Sequence, residues 1–187
     1  MKITHEFAID QNAHTVFEFF DDVTAVAQCL PGAELTADNG DGTYEGIVSV
    51  KLGPMTAAFE GKATVTSDVS TLTGHIDGKG ADKRGGSRGQ VKVDYSVVDR
   101  DGGSNVTVTA EVTLAGAVAQ FGRTGLINQM SQRLITDFVS CLEAKLGAES
   151  EAAADAISAA EVRGLSLFFS TVGASIGAFI KKLFGRS

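Results

Sequence analysis

The chain has 187 residues, 43% of them apolar, with 22 glycines, 2 prolines and no tryptophan. That is enough apolar side chain for one sizeable core, which excludes a disordered chain. Lys and Arg number 16 against 23 Asp and Glu, a net charge of −7, which argues against a nucleic-acid partner needing a basic face.

The charge is uneven. Residues 161–187 hold Arg163, Lys181, Lys182 and Arg186 against Glu161, so that segment is +3 and the rest of the chain −10. An acidic body with a short basic, apolar tail is a two-part design. Cys29 and Cys141 lie far apart with no CxxC spacing, and are read as reduced core thiols of a cytosolic protein. The first residues run straight into a strand pattern without an apolar leader, so no secretory signal is expected.

Residues 2–9 alternate, with Ile3, Phe7 and Ile9 on one face, and predict a strand. Residues 12–20 change to helical spacing around Val16, Phe17 and Phe20, with Asn12 or Asp10 as the cap. A second short helix over 23–29 ends at Leu30-Pro31-Gly32, a strong turn signal. Five strands of period 2 follow. Their dry faces carry Tyr44–Leu52, Met55–Val65, Leu72–Gly80, Val91–Val97 and Val106–Leu114 at alternate positions. Such alternation is the habit of an antiparallel meander with one wet face, and glycine-rich turns separate the strands. Glycines 46, 61, 74 and 78 on the dry face mark bends or close approaches, hence a strongly curved sheet. A long helix is expected over 118–146, with Val118, Phe121, Ile127, Met130, Leu134, Phe138, Leu142 and Leu146 near one stripe and Gly147 as the stop. At 1.5 Å per residue it would reach about 40 Å and cover the dry face. Residues 147–160 are small and acidic and read as a flexible linker.

The order strand, two small helices, five strands, long helix resembles the helix-grip fold of the START/Bet v 1-like (SRPBCC) superfamily. That is an α+β fold: a curved antiparallel sheet of about six strands wrapped around a long C-terminal helix. Within it, Cys29-Leu30-Pro31-Gly32-Ala33-Glu34 and Ala119-Gln120-Phe121-Gly122-Arg123 resemble the CoxG family, the G-subunit family of carbon monoxide dehydrogenase, over residues 1–146. The resemblance implies an accessory protein of a molybdenum-containing CO dehydrogenase or related hydroxylase, linked to its maturation or to its attachment at the membrane.

No catalytic residue stands out. His75 points to the wet face, His14 sits early in the first helix, and His5 falls on the inner register of the first strand, near its end. None has metal-ligand or nucleophile spacing, and no metal is expected. Glu45, Glu60, Asp77, Asp94 and Glu111 all fall on the wet face, away from any cleft that would shift a carboxylate. The run 78–89 lacks the Gly-Lys-Ser/Thr ending of a phosphate loop and reads as a flexible hairpin tipped by Lys83, Arg84 and Arg88, able to dock a partner. The dry face is more informative. It either fills as a solid core or leaves an apolar hollow lined by Leu30, Tyr44, Met55, Phe59, Leu72, Ile76, Val93, Tyr95, Leu114, Phe121, Gly122, Leu126 and Met130. Tyr44 and Tyr95 are its hydroxyls within the meander, either core tyrosines or anchors for a ligand carbonyl.

The tail is the sharpest local signal. Residues 164–180 carry no charge, and Leu165, Phe168, Phe169, Val172, Ile176, Phe179, Ile180, Leu183 and Phe184 form one helical stripe, with Lys181 and Lys182 at its end. Seventeen residues reach about 25 Å, short of a bilayer core of about 30 Å, so the tail is expected to lie in a membrane interface rather than span it. The reading that follows has three parts: a helix-grip ligand domain over 1–146, a linker over 147–160 and a membrane-anchoring tail over 161–187. It describes a non-enzymatic accessory protein of a CO dehydrogenase-type hydroxylase, cytoplasmic and peripheral to the inner face of the cell membrane, holding a quinone (menaquinone or ubiquinone) in its hollow. The alternatives are a small START-like cyclase or dehydratase, and a maturation factor with no ligand.

Overall fold

The computed structural model describes residues 1–52, 55–123, 125–148 and 150–159. Strand β1 (Lys2–Ile9) leads into helices α1 (Ala13–Asp21) and α2 (Val23–Cys29). Six strands follow: β2 (Ala33–Asp38), β3 (Thr43–Leu52), β4 (Met55–Asp68), β5 (Thr73–Asp82), β6 (Ser87–Arg100) and β7 (Gly103–Ala115). A 3-10 segment (Gly116–Arg123), the long helix α3 (Leu126–Leu146) and the short helix α4 (Glu151–Ala156) complete the described chain.

Local chemistry sets most of these boundaries. Asn12 caps α1, its Oδ1 accepting from the Thr15 N–H at 2.9 Å. The alternative cap, Asp10, instead pairs with Arg100 at 2.6 Å. Asp22 closes α1 and opens α2, its Oδ1 accepting from the Ala25 N–H at 3.0 Å. At the Pro-Gly turn, Gly32 has φ +83, and a Cβ there would lie 2.3 Å from the Ser49 carbonyl oxygen, so only glycine fits. Its own carbonyl accepts from the Ser49 N–H at 2.8 Å, which lays β2 against β3.

All neighbouring strands are antiparallel, in the order β1-β7-β6-β5-β4-β3-β2. The sheet therefore has seven strands, one more than expected. The additional one, β2, is a six-residue edge strand with a register shift between Leu35 and Ala37. Its residues do alternate, half-buried Ala33, Leu35 and Ala37 against exposed Glu34, Thr36 and Asp38, but over a run of only six residues at the sheet edge. The expected helix over 118–146 is also corrected. Its first turns are 3-10, and α3 begins at Leu126 behind Gly125, which sits at φ 72 in the left-handed region. The α-helix of 21 residues is thus about 30 Å long rather than 40.

The strands put two ends on the molecule. At one lie the β3–β4 and β5–β6 turns and the start of α3; at the other lie α1, the remaining hairpin turns and the end of α3. Two apolar clusters sit on the inner face of the sheet. The larger holds Ile9, Val16, Phe17, Phe20, Tyr95, Val97, Val106, Phe138 and Leu142 at the α1 end. The smaller holds Leu52, Ala57 and Val118, with Phe59, Leu114 and Phe121 packed on it.

Cys29 and Cys141 form a disulfide that joins α2 to α3 inside the larger cluster. This corrects the expectation of two reduced thiols, and with it the thiol-based ground for a cytosolic setting. The pairing spans 112 positions, and only the antiparallel return of α3 past α2 brings the two residues together. Beside it, the buried Lys145 Nζ donates to Gln28 Oε1 at 2.6 Å and to the Ala154 carbonyl at 2.7 Å, tying α2, α3 and α4 into one corner. Part of the segment read as a linker is therefore docked: Ile157 packs on the larger cluster and Ala159 is buried.

Candidate functional site

Between the two clusters the inner face is apolar but only half covered. Ala63, Val65, Val91, Val93 and Val112 are half-buried, and Val48 on β3 is 46% exposed. Opposite them, Leu134 lies on the α3 stripe one turn before Phe138 and is still 37% exposed. The fold thus leaves an apolar trough between the middle of the sheet and the middle of α3, closed at each end by a packed cluster. Apolar side chains held part-open in this way are what an apolar ligand would cover.

The residues expected to line a hollow divide along this geometry. Leu30, Leu72, Ile76 and Tyr95 belong to the larger cluster. Met55, Phe59, Leu114, Phe121, Leu126 and Met130 belong to the smaller. Tyr44 and Val93 are half-buried and lie in neither cluster, and Gly122 falls within the 3-10 segment. Leu72 is not in a strand; it sits in the β4–β5 turn at φ 49 and reaches the core from there.

The strand glycines turn out to serve close packing. A Cβ on Gly46 would lie 2.7 Å from the Glu34 carbonyl oxygen, and one on Gly61 would meet the neighbouring β5 backbone, which are the close approaches of a curved sheet. At Gly74 the space is occupied: the Tyr95 ring lies over it, with Cζ 2.2 Å from where a Cβ would be. A Cβ on Gly89 would make ordinary contact with the Phe59 ring at 3.6 Å, and one on Gly80 would lie 3.2 Å from the Glu60 carbonyl oxygen and 3.3 Å from the Phe59 Cβ. Tyr95 also stacks on Phe20, with ring centroids 5.0 Å apart at 26°. Its hydroxyl is buried and finds no hydrogen-bond partner among the described residues. Burial, with the Asp21 charge adding, pushes that hydroxyl up to about 12. Tyr44 shifts upward too, by desolvation and then by Asp38, Asp21 and Asp22.

A polar pair on the inner face was not legible in the sequence. His5 Nε2 lies 3.1 Å from Ser131 Oγ, linking β1 to α3. Ser131 donates its single hydroxyl hydrogen to the Asn128 carbonyl at 2.9 Å, so His5 Nε2 is the donor to Ser131. Only the packing of α3 across β1 creates this contact.

The outer face behaves as its alternation implied. Glu45 pairs with Lys62 at 2.6 Å, Glu60 with Lys83 at 2.8 Å, and Asp77 with Lys92 at 3.8 Å, all solvent-exposed to a large degree. His75 pairs with Asp94 at 2.8 Å beside an open depression of about 440 Å³ whose walls include Thr66, Thr73, Ser96 and Thr107. Exposed pairs of this kind contribute little stability. The β5–β6 hairpin, expected to be flexible, is built: Asp82 and Ser87 are buried, and Asp82 Oδ1 accepts from the Arg84 N–H at 3.0 Å. Among the described residues no group of three or more His, Cys, Asp or Glu is placed to hold a metal ion, and no helix is long and apolar enough to cross a membrane. The tail residues Leu165, Phe168, Phe169, Val172, Ile176, Phe179, Ile180, Lys181, Lys182, Leu183 and Phe184 lie outside the described residues.

Known structures share this fold at low identity. A conserved protein from Geobacillus kaustophilus matches with a TM-score of 0.66 at 14% identity, over 76% of this chain and 93% of that one. A protein from Thermus thermophilus matches with a TM-score of 0.57 at 13% identity, over 76% and 94%. The Zhui aromatase/cyclase from a Streptomyces species matches with a TM-score of 0.56 at 14% identity, over 79% and 96%. These likenesses establish the helix-grip fold and nothing finer. None of the curated proteins matches the sequence. The family model for CoxG, the G-subunit of carbon monoxide dehydrogenase, however, matches residues 6–147, from within β1 to the stop of α3, and the chain belongs to that family.

Proposed function

We propose that the chain is a non-enzymatic accessory protein of a molybdenum-containing CO dehydrogenase-type hydroxylase, attached to the membrane by its tail and holding a quinone in the inner trough. Family membership supports the partner. The observation that carries the ligand is the part-open apolar trough, with Val48 and Leu134 exposed where a solid core would cover them. The tail's apolar stripe and terminal Lys181 and Lys182 support attachment. A dehydrogenase that feeds a membrane chain needs a lipid-soluble electron carrier, and menaquinone or ubiquinone fits an apolar trough with few polar groups. The protein's part is to bind, shield and present that carrier; no residue takes part in electron transfer.

The experiment is solvent extraction and mass spectrometry of the full chain purified from its native host. Near-stoichiometric quinone is the expected result; protein that carries none under conditions that preserve its fold removes the ligand reading. Attachment is read separately, by co-sedimentation of the full chain with phosphatidylglycerol vesicles. Lys181→Glu with Lys182→Glu should weaken it in a salt-sensitive way.

A second reading, a START-like cyclase or dehydratase, is favoured by one observation, the inner-face pair of His5 and Ser131. An extracted aromatic small molecule other than a quinone would select it.

A further inference from the structure

The two ends of the sheet carry opposite charge, though the chain as a whole is acidic. At the end where α3 begins, residues 51–52, 55–56 and 82–88 hold Lys51, Lys83, Arg84 and Arg88 against one acid, Asp82. Asp82 is buried and committed to the Arg84 backbone, and Lys83 is paired with Glu60, but Lys51, Arg84 and Arg88 are exposed. At the other end, Asp10, Asp21, Asp22, Asp38, Asp41, Asp68, Asp99 and Asp101 stand against Arg100 and the buried Lys145. The described chain leaves from this acidic end, through α4 to the buried Ala159. The basic end is separated from it by the length of α3, about 30 Å, several times the Debye length of about 8 Å at physiological salt.

We propose that the basic end is the docking surface for an acidic face of a partner protein. The inference rests on the accessory role proposed above. Half-buried Met55, Leu126 and Met130 of the smaller cluster lie at the same end as the basic hairpin. An apolar centre with a charged rim is the anatomy of a protein interface. The hairpin is held in shape by buried Asp82 and Ser87, so Arg84 and Arg88 are presented without a large ordering penalty. A tail on the bilayer at the acidic end would leave this end turned away from the lipid. Rim charges of this kind steer encounter and select the partner.

The test is surface-immobilised binding of the full chain to the CO dehydrogenase-type holoenzyme of the same host, at several salt concentrations. Arg84→Glu with Arg88→Glu should weaken binding by about tenfold or more and flatten its salt dependence. The control Asp101→Lys, a charge reversal at the opposite end, should leave binding unchanged or slightly improve it. Circular dichroism confirms that each variant is folded, and the salt dependence of the parent serves should a variant not fold: parent binding that does not weaken with salt overturns the proposal. Parent that binds while the Arg84 and Arg88 variant binds equally well removes the proposal and leaves the accessory role standing. Parent that does not bind the holoenzyme removes both. If the variant instead loses co-sedimentation with phosphatidylglycerol vesicles and keeps the holoenzyme, the surface is lipid-directed and the proposal is overturned.

Discussion

Replacing Gly74 by alanine probes how the inner face is filled. The added Cβ would lie 2.2 Å from Tyr95 Cζ, 2.3 Å from its hydroxyl oxygen and 2.4 Å from Cε1. Carbon atoms in contact prefer roughly 3.5–4.0 Å, so the ring must move by more than about 1 Å. It has little room, being 4% exposed, stacked on Phe20 at 5.0 Å and tilted against Phe17 at 6.2 Å. Overpacking of this kind costs about 1–3 kcal/mol, and disturbing the Phe20 stack forfeits part of about 0.5–1.5 kcal/mol more. Removing a glycine from a strand returns about 0.5–1 kcal/mol. The net expectation is a loss of about 1–3 kcal/mol, read as a lower urea midpoint at unchanged slope. In a Tyr95→Ala background the same change should cost almost nothing, so the cycle should show a coupling of about 1–3 kcal/mol. Gly74→Ala within about 0.5 kcal/mol of the parent would refute the packing argument. If such a variant also lost its extracted quinone, the ring would be the mobile wall of the trough rather than part of the core.

Three further outcomes follow from the same corner of the molecule. Cys29→Ser with Cys141→Ser should destabilise the fold by about 2–5 kcal/mol, and dithiothreitol should lower the urea midpoint of the parent but not of the variant. Lys145→Met strands the Gln28 amide oxygen and the Ala154 carbonyl, so stability should fall by about 1–3 kcal/mol and amide exchange in α4 should accelerate. The Tyr95 hydroxyl, held near 12 against an ordinary 10.0, favours the fold in its neutral form; its contribution is whole below pH 10 and is lost as pH rises toward 12. The stability of the parent relative to Tyr95→Phe should therefore fall by about 2–3 kcal/mol across that window, and a difference that stays flat would refute the desolvation argument.

What the amino-acid order determined by itself was the local geometry. Period-2 runs such as 55–65 and 106–114 admit only strands with one dry face, and glycine-rich turns between them admit only hairpins, so the antiparallel sheet was legible. The Asn12 cap, the Pro31-Gly32 turn and the stripe Met130–Leu142 were legible for the same reason, since each depends on neighbours within a few residues. The tertiary structure decided everything that depends on two distant segments meeting. Cys29 and Cys141 have no sequence relation, and become a disulfide because α3 runs back past α2. Periodicity places Gly74 on the dry face but cannot say what lies over it; the Tyr95 ring, its register partner one strand away, leans across and fills the space. His5 gained Ser131 because α3 crosses β1. The charge reversal between the two ends was invisible in a net value of −7, because only antiparallel pairing gathers every second turn to one side of the molecule.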